Sequence, residues 1–359
     1  MLRIGMLTSG GDCQALNVTM RGIVKGLANT SPEPLEVIGF EDGYQGLIYD
    51  RYRELGPSDF SGILALGGTI LGTSRTPFKY LDVPEADGVN KVEAMKKNYK
   101  KHKLDCLFVL GGNGSTKTAN RLSQEGLNVI ALPKTIDNDT YGTDMTFGFT
   151  SAIDVATRCI DEIHTTANSH GRVFVIEIMG HKVGWIPLYA GVAGGADVIL
   201  IPEIPYDMDN VIKTIEKRDA RGSRFSIIVA AEGAISKEEA AMSKKAYKKK
   251  VAARVKPSVA YYIADELVAR TGREVRVAIP GHTQRGGAPD AQDRIFASQC
   301  GTTAAEACLA GNFGVMVAQI GGKMCTVPMA EVAGKLKYVD PEGELVRTAK
   351  MLGVSFGDE

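Results

Sequence analysis

The chain has 359 residues, 44% of them apolar, with 42 basic and 42 acidic side chains. This length and apolar share suit two lobes better than one small core. Balanced charge argues against a general nucleic-acid binder, which carries a basic excess.

The predicted elements alternate along the chain. A strand-like run at residues 4–7 precedes a helical pattern in which Leu16, Met20, Ile23, Val24 and Leu27 share one face. Further apolar runs at 107–110 and 129–132 read as buried strands, followed by a second helical pattern through Ile153, Ala156, Ile160 and Ile163. Strands are then expected at 173–178, 198–201, 226–230 and 275–279, and the C-terminal region adds a strand at 314–320 and a terminal helix. Such alternation predicts a parallel sheet with helices on both faces. The Lys-rich stretch 244–250 reads as a solvated helix face rather than a polyanion site. With no short repeat and no low-complexity linker, two lobes that exchange chain segments are expected. Six scattered cysteines, without Cys-x-x-Cys or paired His spacing, suggest reduced core residues rather than zinc or disulfides. No signal-peptide pattern and no bilayer-length apolar run is present, so a soluble, cytoplasmic protein is expected.

The chemistry concentrates in Pro-Lys-Thr-Ile-Asp-Asn-Asp, residues 133–139. Asp137 and Asp139 follow the apolar run 127–132, and carboxylates at the carboxyl end of a buried strand lie where open α/β sheets bind ligands. One can take a proton from a hydroxyl while the other holds a divalent cation near phosphate. An Asp/Asn turn would read the same way in isolation. Three glycine loops favour the chemical reading. Thr8-Ser9-Gly10-Gly11-Asp12 and Leu110-Gly111-Gly112-Asn113-Gly114-Ser115 each lie between a strand and a helix, where backbone N–H groups and a helix N-terminus attract phosphate. The third, residues 67–75, ends in Arg75, whose guanidinium suits a bridging phosphate.

These loops, followed by Pro-Lys-Thr-Ile-Asp-Asn-Asp, resemble the 6-phosphofructokinase family. Met179-Gly180-His181, Gly-Val-Ala-Gly-Gly-Ala-Asp at 191–197, Ile201-Pro202-Glu203, Ala231-Glu232-Gly233 and Pro-Gly-His-Thr-Gln-Arg-Gly-Gly at 280–287 extend the match in order to about residue 298. The resemblance implies an α/β fold of two lobes, each a mostly parallel sheet with helices on both faces. The donor lobe would cover about 1–148 and 257–310, and the sugar-phosphate lobe about 149–256 and 311–359. It implies transfer of a terminal phosphoryl group to the 1-hydroxyl of fructose 6-phosphate, with Asp137 as base, Thr135 steadying the transferring group, and Asp139 and Asn113 near Mg²⁺. The donor would meet Gly11, Arg75, Thr76, Gly112, Asn113, Gly114, Ser115 and Lys134. The sugar phosphate would meet Thr135, Asp137, Arg172, Met179, Gly180, His181, Glu232, Arg276, His282 and Arg285. Arg172 and Arg276 would reach across from a neighbouring subunit, so a homo-oligomer, most often a tetramer, is implied, with no nucleic-acid or membrane partner.

The sequence departs from the family pattern at two positions. Asn113 replaces a usual acidic metal ligand, and His181 stands where nucleotide-dependent bacterial members often carry arginine. The donor stays open between ATP and pyrophosphate. Gly114 leaves room for an α-phosphate, where pyrophosphate users carry Asp, whereas Lys134 resembles pyrophosphate-using and mixed-donor members; ATP is the favoured expectation. Arg21, Lys25 and Arg221 would retain parts of an effector pocket, while His164 and Ser223 replace basic contacts, so weak or altered regulation is expected. A non-catalytic sugar-phosphate sensor is the contrasting reading, disfavoured because a sensor needs no proton acceptor such as Asp137.

Overall fold

The computed structural model describes residues 1–359. In chain order its strands and helices are β1 (Leu2–Ser9), α1 (Leu16–Thr30), β2 (Leu35–Phe40), α2 (Tyr44–Tyr49), β3 (Tyr52–Leu55), α3 (Lys91–Lys101), β4 (Cys106–Gly111), α4 (Asn113–Gln124), β5 (Val129–Pro133) and α5 (Phe149–His170). There follow β6 (Val173–Ile178), α6 (Trp185–Ala193), β7 (Val198–Leu200), α7 (Met208–Ala220), β8 (Ser226–Ala231), α8 (Lys237–Ala240), α9 (Lys244–Ala252), α10 (Val259–Thr271) and β9 (Val275–Ala278). The chain ends with α11 (Ala291–Leu309), β10 (Val315–Ile320), β11 (Lys323–Pro328), α12 (Met329–Val332) and α13 (Glu344–Met351).

Two compact units result. The first comprises Met1–Ser151 and Arg285–Lys337, the second Ala152–Gln284 and Tyr338–Glu359. The first holds a seven-stranded sheet in the order β11-β10-β5-β4-β1-β2-β3. Its five inner strands run parallel, and only the edge strands β3 and β11 are antiparallel to their neighbours. Every residue of β4 and β5 is buried, because helices cover both faces, which explains their unbroken apolar sequence. Register places Ser9 opposite Gly111 and Gly111 opposite Pro133. The loops leaving β1, β4 and β5 therefore emerge side by side from one sheet edge. Behind them α1 and α11 approach so closely that a Cβ on Gly301 would lie 2.5 Å from the Thr19 carbonyl oxygen.

The second unit holds a four-stranded parallel sheet, β7-β8-β6-β9, around a core that includes Val175, Leu200, Val211, Ile228 and Ile263. Ile178 pairs with Ala231 at the carboxyl ends of β6 and β8, so the segments after them start together. The terminal residues join this unit: Ser355 bridges Val198 and Phe356 is buried.

The lobe boundaries expected from sequence differ from these units in two stretches. Residues 257–284, expected with the donor lobe, fall in the second unit because β9 pairs with β6. Residues 311–337, expected with the sugar lobe, fall in the first because β10 pairs with β5. Helix α9 has no buried residue, as a solvated face would. All six cysteines are unpaired in disulfide terms, four of them buried.

Candidate active site

The residues expected to hold a donor all lie in the first unit, at the shared carboxyl edge of β1, β4 and β5. Gly10 has φ 91°, and Gly11 lies so near Arg285 that a Cβ there would come 2.7 Å from the guanidinium Nη1. Arg285 donates to the Asp12 carbonyl at 3.0 Å, and the Lys134 ammonium donates to the Gly11 carbonyl. Two cations thus flank the Gly10–Gly11 turn. Lys134 is buried, and burial pulls its ammonium below the ordinary lysine range, with Cys13 opposing. Arg285, expected among the sugar-phosphate residues, packs here on the first glycine loop.

The second loop opens α4. Gly112 precedes the helix with no side-chain cap, an arrangement that suits an anion at the first-turn N–H groups. Ser115 Oγ donates to Ser9 Oγ at 3.0 Å, and Tyr44 Oη donates to the Ser115 carbonyl at 2.8 Å, which fixes this turn. A Cβ built on Gly114 meets no atom within 4 Å. Arg75 is exposed and makes no ion pair, and the Thr76 Oγ1 is buried without a hydrogen-bond partner.

The Asp137 turn follows β5. Thr135 Oγ1 accepts the Asp137 N–H at 3.0 Å, so its own hydroxyl proton is left to donate elsewhere. Asn138, between Asp137 and Asp139, adopts φ 52°, a left-handed conformation that L side chains rarely take. Asp139 is 9% exposed.

No group of three or more His, Cys, Asp or Glu side chains is arranged to hold a metal ion. Asn113, expected to face Mg²⁺, is engaged otherwise: its Oδ1 accepts from Gly334 N at 2.9 Å and its Nδ2 donates to the Lys335 carbonyl at 2.7 Å. An amide held at both ends serves the chain rather than a cation. What is present still fits Mg²⁺ in the usual way, one or two carboxylates completed by the phosphates of a substrate and water.

The remaining predicted residues lie in the second unit. The Glu232 carboxylate accepts the His181 N–H at 2.6 Å, with His181 at φ 53° and both side chains exposed. Met179 and Gly180 precede this turn, and a Cβ on Gly180 would lie 2.5 Å from the Val183 carbonyl. Arg172 pairs with Glu274 at 2.9 Å and Arg276 pairs with the same carboxylate. These arginines, the former above all through its hydrogen bond, hold Glu274 below the ordinary carboxylate range. Arg172 Nε is buried without a partner. His282 is exposed on the short helical turn Gly281–Arg285. Glu203 accepts from Gly184 N and Val339 N, both at 3.0 Å, and so has a structural task. The two residues that replace basic effector contacts are both engaged within the chain: His164 meets the Gly194 carbonyl at 2.7 Å and Ser223 accepts from Arg218 at 2.9 Å.

Sequence reasoning missed Lys337. Its ammonium donates to Asn138 Oδ1 at 2.9 Å and to the Thr143 and Asp144 carbonyls at 2.9 and 2.7 Å. No pattern in Gly-Lys-Leu-Lys marks one lysine as half-buried against a loop some 200 residues away.

A family model described as Phosphofructokinase matches residues 3–308. The chain belongs to the phosphofructokinase family. A relative named ATP-dependent 6-phosphofructokinase, from Spirochaeta thermophila, is 53% identical over 358 residues, which cover 99% of this chain and 97% of that protein. Among solved structures, a Pichia pastoris phosphofructokinase in the T-state aligns with TM-score 0.77 and 33% identity over 93% of this chain, which spans only 38% of that longer polypeptide. A pyrophosphate-dependent phosphofructokinase from Nitrosospira multiformis shares the fold, with TM-score 0.81 and 20% identity over 98% of this chain and 92% of its own. Every motif named above lies within the part matched by the phosphofructokinase model, and the segment that carries Lys337 lies beyond it.

Proposed function

We propose that this protein is an ATP-dependent 6-phosphofructokinase, transferring the terminal phosphoryl group of ATP to the 1-hydroxyl of fructose 6-phosphate. The observation that carries the reading is the Thr135–Asp137 turn, set beside two glycine loops at one sheet edge. Asp137 accepts the proton of the 1-hydroxyl as the hydroxyl oxygen attacks phosphorus. Thr135, whose oxygen is held by the Asp137 N–H, donates a hydrogen bond to the transferring group. Lys134 and the N–H groups of the glycine loops offset the charge of the donor phosphates, which suits a reaction governed by positioning and charge neutralisation. Gly11, Gly112, Gly114 and Ser115 form the cradle, with Arg75 and Thr76 beside it. Asp139 would hold Mg²⁺, whose charge would offset that of the donor phosphates. Arg172, Arg276, His282 and Arg285 bind the 6-phosphate, and Met179, Gly180, His181 and Glu232 bind the hexose. Arg172 and Arg276 serve the site of a neighbouring subunit, so the enzyme works as a homo-oligomer, a tetramer in the simplest arrangement.

ATP is favoured by the open space at Gly114. Pyrophosphate remains the second reading because the buried Lys134 ammonium reaches the first glycine loop. A coupled assay for fructose 1,6-bisphosphate with each donor and Mg²⁺ decides between them. Turnover with pyrophosphate alone would remove ATP; none with either would remove the kinase reading. Asp137→Asn should lower kcat by about 100-fold or more while fructose 6-phosphate still binds. Near-normal turnover would show that another group takes the proton.

A further inference from the structure

The C-terminal stretch 334–337 touches both loops that carry the proposed chemistry. At one end, Gly334 and Lys335 grip the Asn113 amide through hydrogen bonds of 2.9 and 2.7 Å. Gly334 has φ 90°, and a Cβ there would lie 2.7 Å from the Lys117 side chain, so the turn is held close to α4. In the middle, Leu336 forms an antiparallel bridge with Thr140. At the other end, Lys337 N donates to the Asp139 carbonyl at 2.9 Å, and its ammonium donates to Asn138 Oδ1, Thr143 O and Asp144 O. Asn138 is the left-handed residue between Asp137 and Asp139, and such a conformation persists only where its surroundings over-determine it. We infer that residues 334–337 form a strap that holds the Asp137–Asp139 turn in register with the Asn113 loop, with Lys337 as the positioning residue. The role rests on Asp137 being the proton acceptor proposed above. It also gives Asn113 a task at a position where a carboxylate could not donate to the Lys335 carbonyl.

The test uses the full-length enzyme with ATP, Mg²⁺ and fructose 6-phosphate. Lys337→Met keeps the length of the side chain and removes its charge and donors. The expected result is a fall in kcat of about 100-fold, as for a reacting group displaced by about an ångström, with the KM for fructose 6-phosphate changed by less than about threefold. Amide hydrogen exchange should quicken in peptides spanning 136–144. Lys337→Arg, which keeps charge and donors, should recover part of the rate. A near-normal kcat in Lys337→Met, a loss confined to KM, or an equally deep loss in Lys337→Arg would each overturn the assignment. If Lys337→Met does not fold, Asn138→Gly takes its place, since glycine accepts the left-handed φ and removes the Oδ1 that Lys337 grips, together with two longer contacts to the Asp144 carbonyl at 3.4 Å and Thr146 Oγ1 at 3.5 Å. The same loss of kcat there supports the strap, and an unchanged kcat overturns it. Asp137→Asn separates the two claims: normal turnover in that variant removes the proposed base, whereas failure of the strap leaves the base untouched.

Discussion

Two side chains show how local surroundings set the consequences of a single change. Gly114 sits in the first turn of α4 with open space around its absent Cβ. An aspartate fits there, and its charge is welcome at a helix N-terminus, so Gly114→Asp should fold normally. The same carboxylate would face the α-phosphate of ATP, and like charges in contact cost several kcal/mol. The variant should therefore lose about 100-fold in kcat/KM with ATP, with melting temperature unchanged; steady-state kinetics with both donors would check it. Asp293 is a structural counterpart. It is 1% exposed, accepts from Gly148 N at 2.9 Å and from Ser151 Oγ at 2.6 Å, and burial raises it from 3.8 to about 6, with those hydrogen bonds opposing. A folded-state value above the unfolded one means that its contribution is fully present below about pH 4 and is lost as pH rises through about 6. The melting-temperature advantage of the wild type over Asp293→Asn should shrink between about pH 4 and pH 7, and scanning fluorimetry across that range would show it.

Among the elements, the α1–α11 pair depends on glycine. Propensity alone says that Gly301→Ala should stabilise a helix by about 1 kcal/mol. Packing says the reverse, because the new Cβ would meet the Thr19 carbonyl at 2.5 Å and the Gly22 Cα at 2.7 Å, both backbone atoms that cannot swing aside. Overpacking typically costs about 1–3 kcal/mol, so a lower melting temperature is expected, and a higher one would show that the helices separate freely. The strands teach a related lesson about legibility. Inner strands such as β4, β5, β6 and β8 announce themselves as unbroken apolar runs because both faces are covered. Three strands went unpredicted: the edge strands β3 and β11, whose Tyr-Arg-Glu-Leu and Lys-Met-Cys-Thr-Val-Pro are mixed in polarity as half-solvated edges are, and the inner β2, whose Leu-Glu-Val-Ile-Gly-Phe is interrupted by Glu36 and Gly39.

For the molecule as a whole, chain order and spatial grouping diverge. The chain passes between units after Ser151, Gln284 and Lys337. The last passage carries the tail into the second unit, where Ser355 lies along β7 and Ile199 N donates to its carbonyl at 2.9 Å. Phe356 is fully buried beside it. Phe356→Ala should cost about 3–5 kcal/mol, the usual loss for a buried phenyl ring, and show as a lower-melting transition and faster proteolysis of residues in 152–284. An unchanged melting profile would mean that the tail is a passenger.

Local sequence was sufficient for the alternating α/β class, the glycine loops and the Thr135–Asp137 turn, because each depends on neighbours a few residues apart: period, turn chemistry and strand-to-helix order. It could not determine where residues 257–284 and 311–337 belong, that Asn113 clamps a distant turn, or that Lys337 lies under Asn138. Those outcomes follow from pairing between strands and from hydrogen bonds closed across some 200 residues, and only the tertiary fold brings such partners within 3 Å of each other.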